Sequence, residues 1–143
     1  MIIRTLLIDD SAEFLQTLAS FLSSDARVNV VASFQSGLDA LARATELKPD
    51  LVLVDWNMPA MSGLEVVQAF KARADKPKIV IVTLHDTDEY RAVADVALAD
   101  GFVCKAKLPL QLMPLIAKLF AEPDLAEPAL PKVSKGLGDP SAP

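Results

Sequence analysis

Five polar side chains suited to phosphoryl chemistry stand directly behind short apolar runs in this 143-residue chain. Leu6-Leu7-Ile8 leads into Asp9-Asp10, and Leu51-Val52-Leu53-Val54 leads into Asp55. Ile79-Val80-Ile81-Val82 leads into Thr83, and Phe102-Val103-Cys104 leads into Lys105. If the runs are parallel strands of one sheet, the carboxylates, the hydroxyl and the ammonium converge at its carboxyl edge. That edge is where open α/β sheets bind ligands.

Carboxylates gathered there repel one another, by roughly 4 kcal/mol for a pair about 4 Å apart at an effective dielectric near 20. They resist ionisation unless a cation sits among them. An all-oxygen site open to water suits Mg²⁺, which would also neutralise an incoming phosphoryl group. Asp55 ends an all-apolar run and is the best placed nucleophile, since a carboxylate can attack phosphorus to give an aspartyl phosphate. Thr83 could donate a hydrogen bond to one phosphoryl oxygen and Lys105 could pair with another as a point charge. Singly, each residue also has a structural reading: Asp9-Asp10 as a helix cap, Asp55 as a turn residue, Thr83 and Lys105 as ordinary strand ends. Their shared placement favours a site.

The elements that must hold these residues alternate between strand-like and helix-like stretches, the pattern of a parallel sheet covered on both faces. Strands are expected at about Arg4–Asp9, Val28–Ser33, Leu51–Asp55, Ile79–Thr83 and Gly101–Lys105. Phe14, Leu15, Leu18, Phe21 and Leu22 recur at helical spacing, so a helix is expected from about Ser11 to Ser24. Ser36-Gly37-Leu38-Asp39 and Ser62-Gly63-Leu64-Glu65 both have the form of a capping box opening a helix. Pro49 is expected to close the former helix by forcing Lys48 into extended geometry. Asp86 or Thr87 could cap a fourth helix. A last helix is expected from about Pro109 to Phe120, either kinked at Pro114 or starting late enough to hold Pro114 in its first turn. Its apolar residues exceed one core face, which reads either as generous burial or as a surface that meets a partner.

Size and composition set bounds. One domain is expected over residues 1–121, with a Pro-rich disordered tail or linker over 122–143. The chain is 52% hydrophobic, but its apolar runs are short. None approaches the roughly 18 residues a membrane helix requires. With no signal-peptide pattern at the start, a cytoplasmic protein without membrane attachment is expected. The one cysteine, Cys104, fits a reducing compartment and reads as buried filler. A net charge of −5 with scattered basic residues argues against direct nucleic-acid binding.

With these residues in view, the chain resembles the receiver domain of two-component response regulators over roughly Ile3 to Phe120. The resemblance rests on Asp9-Asp10, on Asp55-Trp56-Asn57-Met58-Pro59-Ala60-Met61-Ser62-Gly63, on Thr83, and on Asp100-Gly101-Phe102-Val103-Cys104-Lys105. Thr83-Leu84-His85-Asp86 further resembles the subgroup whose receivers usually precede a helix-turn-helix output domain. The resemblance implies a flavodoxin-like (βα)5 doubly wound sheet of order 2-1-3-4-5. It implies that a histidine kinase or phosphotransfer protein donates a phosphoryl group to Asp55. It assigns Asp10 and Asp55 as direct Mg²⁺ ligands, Asp9 as a ligand through water, and the backbone carbonyl of Asn57. Thr83 and Phe102 would form a switch pair that biases the surface of the fourth helix, fifth strand and fifth helix toward a downstream protein, an output domain or a second copy.

The chain departs from the family pattern at three positions. Ala106 stands where proline usually follows the lysine, so a trans bond or a strained loop is expected there. Leu84 is bulkier than the usual residue after the threonine and would narrow access to Asp55. Leu98 replaces the glycine that commonly ends the fourth helix. Asn57 and His85 are candidates for tuning the lifetime of the acyl phosphate. The competing readings are a receiver-shaped interaction module that works without phosphate and a Mg²⁺-dependent phosphohydrolase. In the leading reading the chain is a phosphoacceptor whose only reactions are its own phosphorylation and dephosphorylation, and not an enzyme acting on other substrates.

Overall fold

The apolar runs form five parallel strands, and their unbroken hydrophobicity is explained by burial on both faces. In the computed structural model these are β1 (Ile3–Ile8), β2 (Val28–Phe34), β3 (Leu51–Val54), β4 (Lys78–Thr83) and β5 (Gly101–Cys104). The sheet order is β2-β1-β3-β4-β5, the flavodoxin-like order that the family resemblance implies. The structure describes residues 2–84, 92 and 99–121. The expected fourth helix, Leu98, His85 and the tail over 122–143 lie outside the described residues.

Three helices, α1 (Ala12–Leu22), α2 (Gly37–Leu47) and α3 (Gly63–Lys71), connect the strands up to β4. Side chains alternate across a strand, so each run feeds two cores. Leu6, Ile8, Val52, Val54, Ile79 and Ile81 pack with Ala40 and Ala44 of α2 and Val66, Val67 and Phe70 of α3. The intervening Leu7, Leu51, Leu53, Val80 and Val82 are buried as well. Helix α1 lies along β1 and β2 and buries Leu15, Leu18 and Leu22, none of which joins the α2–α3 cluster.

The helix starts differ in detail from expectation. Ser62 and Glu65 make a full capping box. Ser36 caps α2 by accepting from Asp39 N at 3.4 Å, without the reciprocal bond. Aspartate is one methylene shorter than the glutamate the reciprocal bond favours. Helix α2 ends as Pro49 demands, but Lys48 is left-handed (φ 49°) rather than extended, and its N–H still reaches Ala44 O at 2.9 Å. The right-handed region is disfavoured before proline, and here the chain leaves through the left-handed one.

The described residues divide into two units, one ending at Leu108 and one beginning at Pro109. The C-terminal helix, Leu108–Leu119, carries Pro109 in its first turn and Pro114 in its interior, so it does not start late. Leu112 and Ile116 are buried, whereas Leu110 is 79% exposed. Among the described residues no helix is long and apolar enough to cross a membrane.

Candidate functional site at the carboxyl edge of the sheet

Strand register brings the acids together. Ile8 pairs with Val54, so Asp9 and Asp55 leave β1 and β3 side by side. Each ladder runs one residue further, through Asp9 N to Phe34 O at 3.0 Å and Asp55 N to Ile8 O at 2.9 Å. Thr83 pairs with Cys104, which puts Lys105 one residue beyond the threonine on the adjacent strand. Asp9, Asp10, Asp55, Asn57, Thr83 and Lys105 line one cavity of about 260 Å³, with Ser11 and Leu84 completing its wall. Leu84, 71% exposed, does stand at this cavity.

Carboxylate oxygens of Asp9, Asp10 and Asp55 all lie within 4.8 Å of one another. Asp9, Asp55 and Thr83 are buried, and Asp10 and Asn57 are exposed. Burial pushes the Asp55 carboxyl up to about 6, the neighbouring Asp9 and Asp10 charges adding to the effect and Lys105 opposing it. Asp9 Oδ1 accepts from Ser11 N at 2.9 Å. Its Oδ2 is buried and meets Lys105 Nζ at 2.8 Å as an ion pair outside hydrogen-bond geometry. Lys105 Nζ is 3.8 Å from Asp55 Oδ1.

An all-oxygen donor set with mutual repulsion, in which the buried Asp9 Oδ2 has the Lys105 ion pair but no hydrogen bond, fits a small hard divalent cation. Asp9-Asp10 do not form the helix cap: Ser11 does, its Oγ accepting from Phe14 N at 3.1 Å. The acids are thereby left to face the cavity.

Glycine at position 63 is required by close approach. A Cβ there would lie 2.3 Å from Asp55 O and 2.9 Å from Trp56 Cα, and Gly63 N bonds Trp56 O at 2.9 Å. Between them Ala60 has φ 68°, and Met61 N reaches back to Pro59 O at 2.7 Å. The stretch from Asp55 to Gly63 is thus one backbone cradle tying the acid at the end of β3 to the start of α3.

Phe102 is half-buried and packs against the core cluster from β5. No described peptide bond is cis, so the Lys105–Ala106 bond is trans and opens a short 3₁₀ turn, Lys105–Lys107. Cys104 is buried and in no disulfide, its Sγ donating to Leu84 O at 4.0 Å. One contact is not foreseen from sequence: the Phe14 ring lies 4.1 Å, centroid to Nζ, from Lys105. The helical pattern places Phe14 in the core stripe, yet Leu15, Leu18 and Leu22 already complete that stripe. Its surplus is the signal that could have found it.

A sheet of this order carrying such a pocket is the hallmark of response regulator receiver domains, and the chain belongs to that family. The receiver-domain family model matches residues 5–117. The chain is similar to a protein-glutamate methylesterase/protein-glutamine glutaminase of Myxococcus xanthus, 38% identical over 110 residues, 77% of this chain and 31% of the relative. It is also similar to the response regulator protein VraR of Staphylococcus saprophyticus, 32% identical over 122 residues, 84% of this chain and 57% of the relative. Among solved structures, a LuxR-family DNA-binding response regulator from Staphylococcus aureus aligns with a TM-score of 0.74 at 28% identity, covering 81% of this chain and 98% of that one. The chain thus spans 31% and 57% of the length of these two curated relatives.

Proposed function

We propose that this receiver accepts a phosphoryl group on Asp55 from a phosphohistidine donor, a histidine kinase or phosphotransfer protein. A carboxylate oxygen of Asp55 attacks phosphorus as the bond to the donor imidazole breaks, and the imidazole keeps the departing electron pair. Asp10, Asp55 and the Asn57 carbonyl would hold Mg²⁺ directly and Asp9 through water. The ion supplies charge neutralisation to the phosphoryl oxygens. Thr83 donates its hydroxyl to one phosphoryl oxygen and Lys105 offers its ammonium to another. The observation that carries this reading is the single cavity in which Asp55, its two acidic neighbours, Thr83 and Lys105 all meet.

In this reading Thr83 and Phe102 couple phosphorylation to a contact surface read by a downstream protein, an output domain or a second copy. The similarity to a LuxR-family DNA-binding response regulator supports an output that binds DNA through another domain. The chain would act in the cytoplasm, as the phosphoacceptor and not as an enzyme on other substrates. Asn57 and His85 would set the lifetime of the modified state.

The test uses Trp56, next to Asp55 and the one tryptophan of the chain. Mg²⁺ and then acetyl phosphate should each change its emission, and intact mass should show one phosphoryl addition. Asp55→Asn should abolish the addition and the acetyl-phosphate response. A native protein that takes no phosphoryl group would instead be a phosphate-independent interaction module.

A further inference from the structure

Lys105 is held from more than one side. Its side chain is 13% exposed, with Asp9 Oδ2 at 2.8 Å and Asp55 Oδ1 at 3.8 Å. The aromatic face of Phe14 lies on the ammonium as well, the ring centroid 4.1 Å from Nζ. The backbone that carries the ring is fixed by the residues it serves. Asp9 Oδ1 takes the Ser11 N–H at 2.9 Å, and Ser11 Oγ takes the Phe14 N–H at 3.1 Å. Asp9, Ser11, Phe14 and Lys105 therefore form a closed circuit that begins and ends on one carboxylate.

We propose that Phe14 is a positioning residue whose ring face keeps the Lys105 ammonium inside the acidic cavity, ready for an incoming phosphoryl oxygen. This rests on the phosphoacceptor reading above. The reason for a second anchor lies in competition. A divalent cation among the acids draws on the same Asp9 charge that holds Lys105, and an ammonium on a flexible four-carbon stem is then free to swing out to water. An aromatic face attracts the ammonium without charge of its own, so that hold persists when Asp9 is shared. Phe14, the third residue of α1, has its position set by the helix start and not by the ion.

The test compares the full chain with Phe14→Leu, which removes the π face and keeps apolar bulk, with Phe14→Tyr, which keeps the face, and with Phe14→Met as a second apolar variant. Two measurements are made. The first is the NMR shift of the Lys105 ε-methylene protons in the metal-free protein. These should lie upfield under the ring in wild type and Phe14→Tyr, and return to ordinary lysine values in the apolar variants. The second is the initial rate of phosphoryl addition from acetyl phosphate with Mg²⁺, read by intact mass. Phe14→Leu and Phe14→Met should be slower by about fivefold, Phe14→Tyr within about twofold of wild type. Placed on a Lys105→Met background, Phe14→Leu should change the residual rate by less than about twofold, because the ring acts through the lysine.

Lys105 methylene protons at ordinary positions in wild type would overturn the proposal. So would apolar variants that react as fast as wild type, or an undiminished effect of Phe14→Leu without the lysine. A wild type that takes no phosphoryl group fails the phosphoacceptor reading instead, and the lysine resonances still decide whether the ring holds it.

Discussion

Lys105 belongs to Asp9 before it belongs to Asp55: its ammonium is 2.8 Å from the one carboxylate and 3.8 Å from the other. The pair is nearly dry, at 13% and 3% side-chain exposure. Removing one partner of such a pair leaves a buried charge uncompensated, which costs about 3 kcal/mol or more. Lys105→Met should therefore destabilise the metal-free protein by about 3 kcal/mol in urea melts at neutral pH. Mg²⁺ can replace the lost counter-charge, so it should stabilise the variant more than the wild type. Equal Mg²⁺ increments in the two proteins would show that the ammonium does not share the site with the ion.

Burial pushes the Asp55 carboxyl up to about 6 from an ordinary 3.8. The folded state thus binds this proton more tightly than the unfolded chain. The resulting stabilisation is complete below about pH 4 and is lost as pH rises through about 6. A tenfold difference in proton affinity corresponds to about 1.4 kcal/mol, and water in the open cavity screens part of the effect. Asp55→Asn should gain about 1–2 kcal/mol over wild type at pH 7.5 in chelator, and little at pH 4. Thermal melts at the two pH values measure it; a constant offset between the proteins would count against a charge origin.

Strand runs and the polar residues that end them were legible in the sequence because unbroken apolar runs mark strands buried on both faces, whereas the sheet order came from the resemblance to receiver domains. Asp9, Asp55 and Lys105 sit at strand ends, so once the order is known their meeting follows from topology. Side-chain direction does not follow. Whether Lys105 turns to Asp9 or Asp55 depends on tertiary neighbours such as Phe14, which no spacing rule supplies. Backbone sign was hidden for a related reason: Lys48 at φ 49° and Ala60 at φ 68° are not glycines. Left-handed geometry is imposed on them by the chain's path.

Gly63 shows how tightly that path is drawn. A methyl at this position would meet the Asp55 carbonyl oxygen at 2.3 Å and the Asp55 carbonyl carbon at 3.0 Å, both of them backbone atoms that cannot rotate away. Gly63→Ala should cost about 2–3 kcal/mol through overpacking. It should also slow acetyl-phosphate labelling of the folded fraction, since the displacement falls on the residue that carries the acceptor. Loss of stability with labelling unchanged would mean that the strain relaxes into α3 and leaves Asp55 in place.

Asp100 offers a way to separate the sheet edge from the chemistry. Its Oδ2 accepts from Lys71 Nζ at 2.7 Å and from Ile79 N at 2.8 Å, while its own N–H reaches Ile79 O at 2.7 Å. One carboxylate oxygen thus ties α3 and β4 to the residue just before β5, the strand that carries Phe102 and delivers Lys105. Asp100→Asn keeps an acceptor for Ile79 N and gives up the ion pair, which is 19% exposed on both sides. It should cost about 1 kcal/mol. Asp100→Ala also strands a backbone N–H and should cost about 2–3 kcal/mol. Both variants retain the acids, Thr83 and Lys105, so phosphoryl addition should survive in each. Hydrogen exchange should locate the damage, with β4 and β5 amides losing protection in Asp100→Ala and much less in Asp100→Asn. Uniform loss across all five strands would mean that Asp100 supports the whole sheet and not the seating of β5.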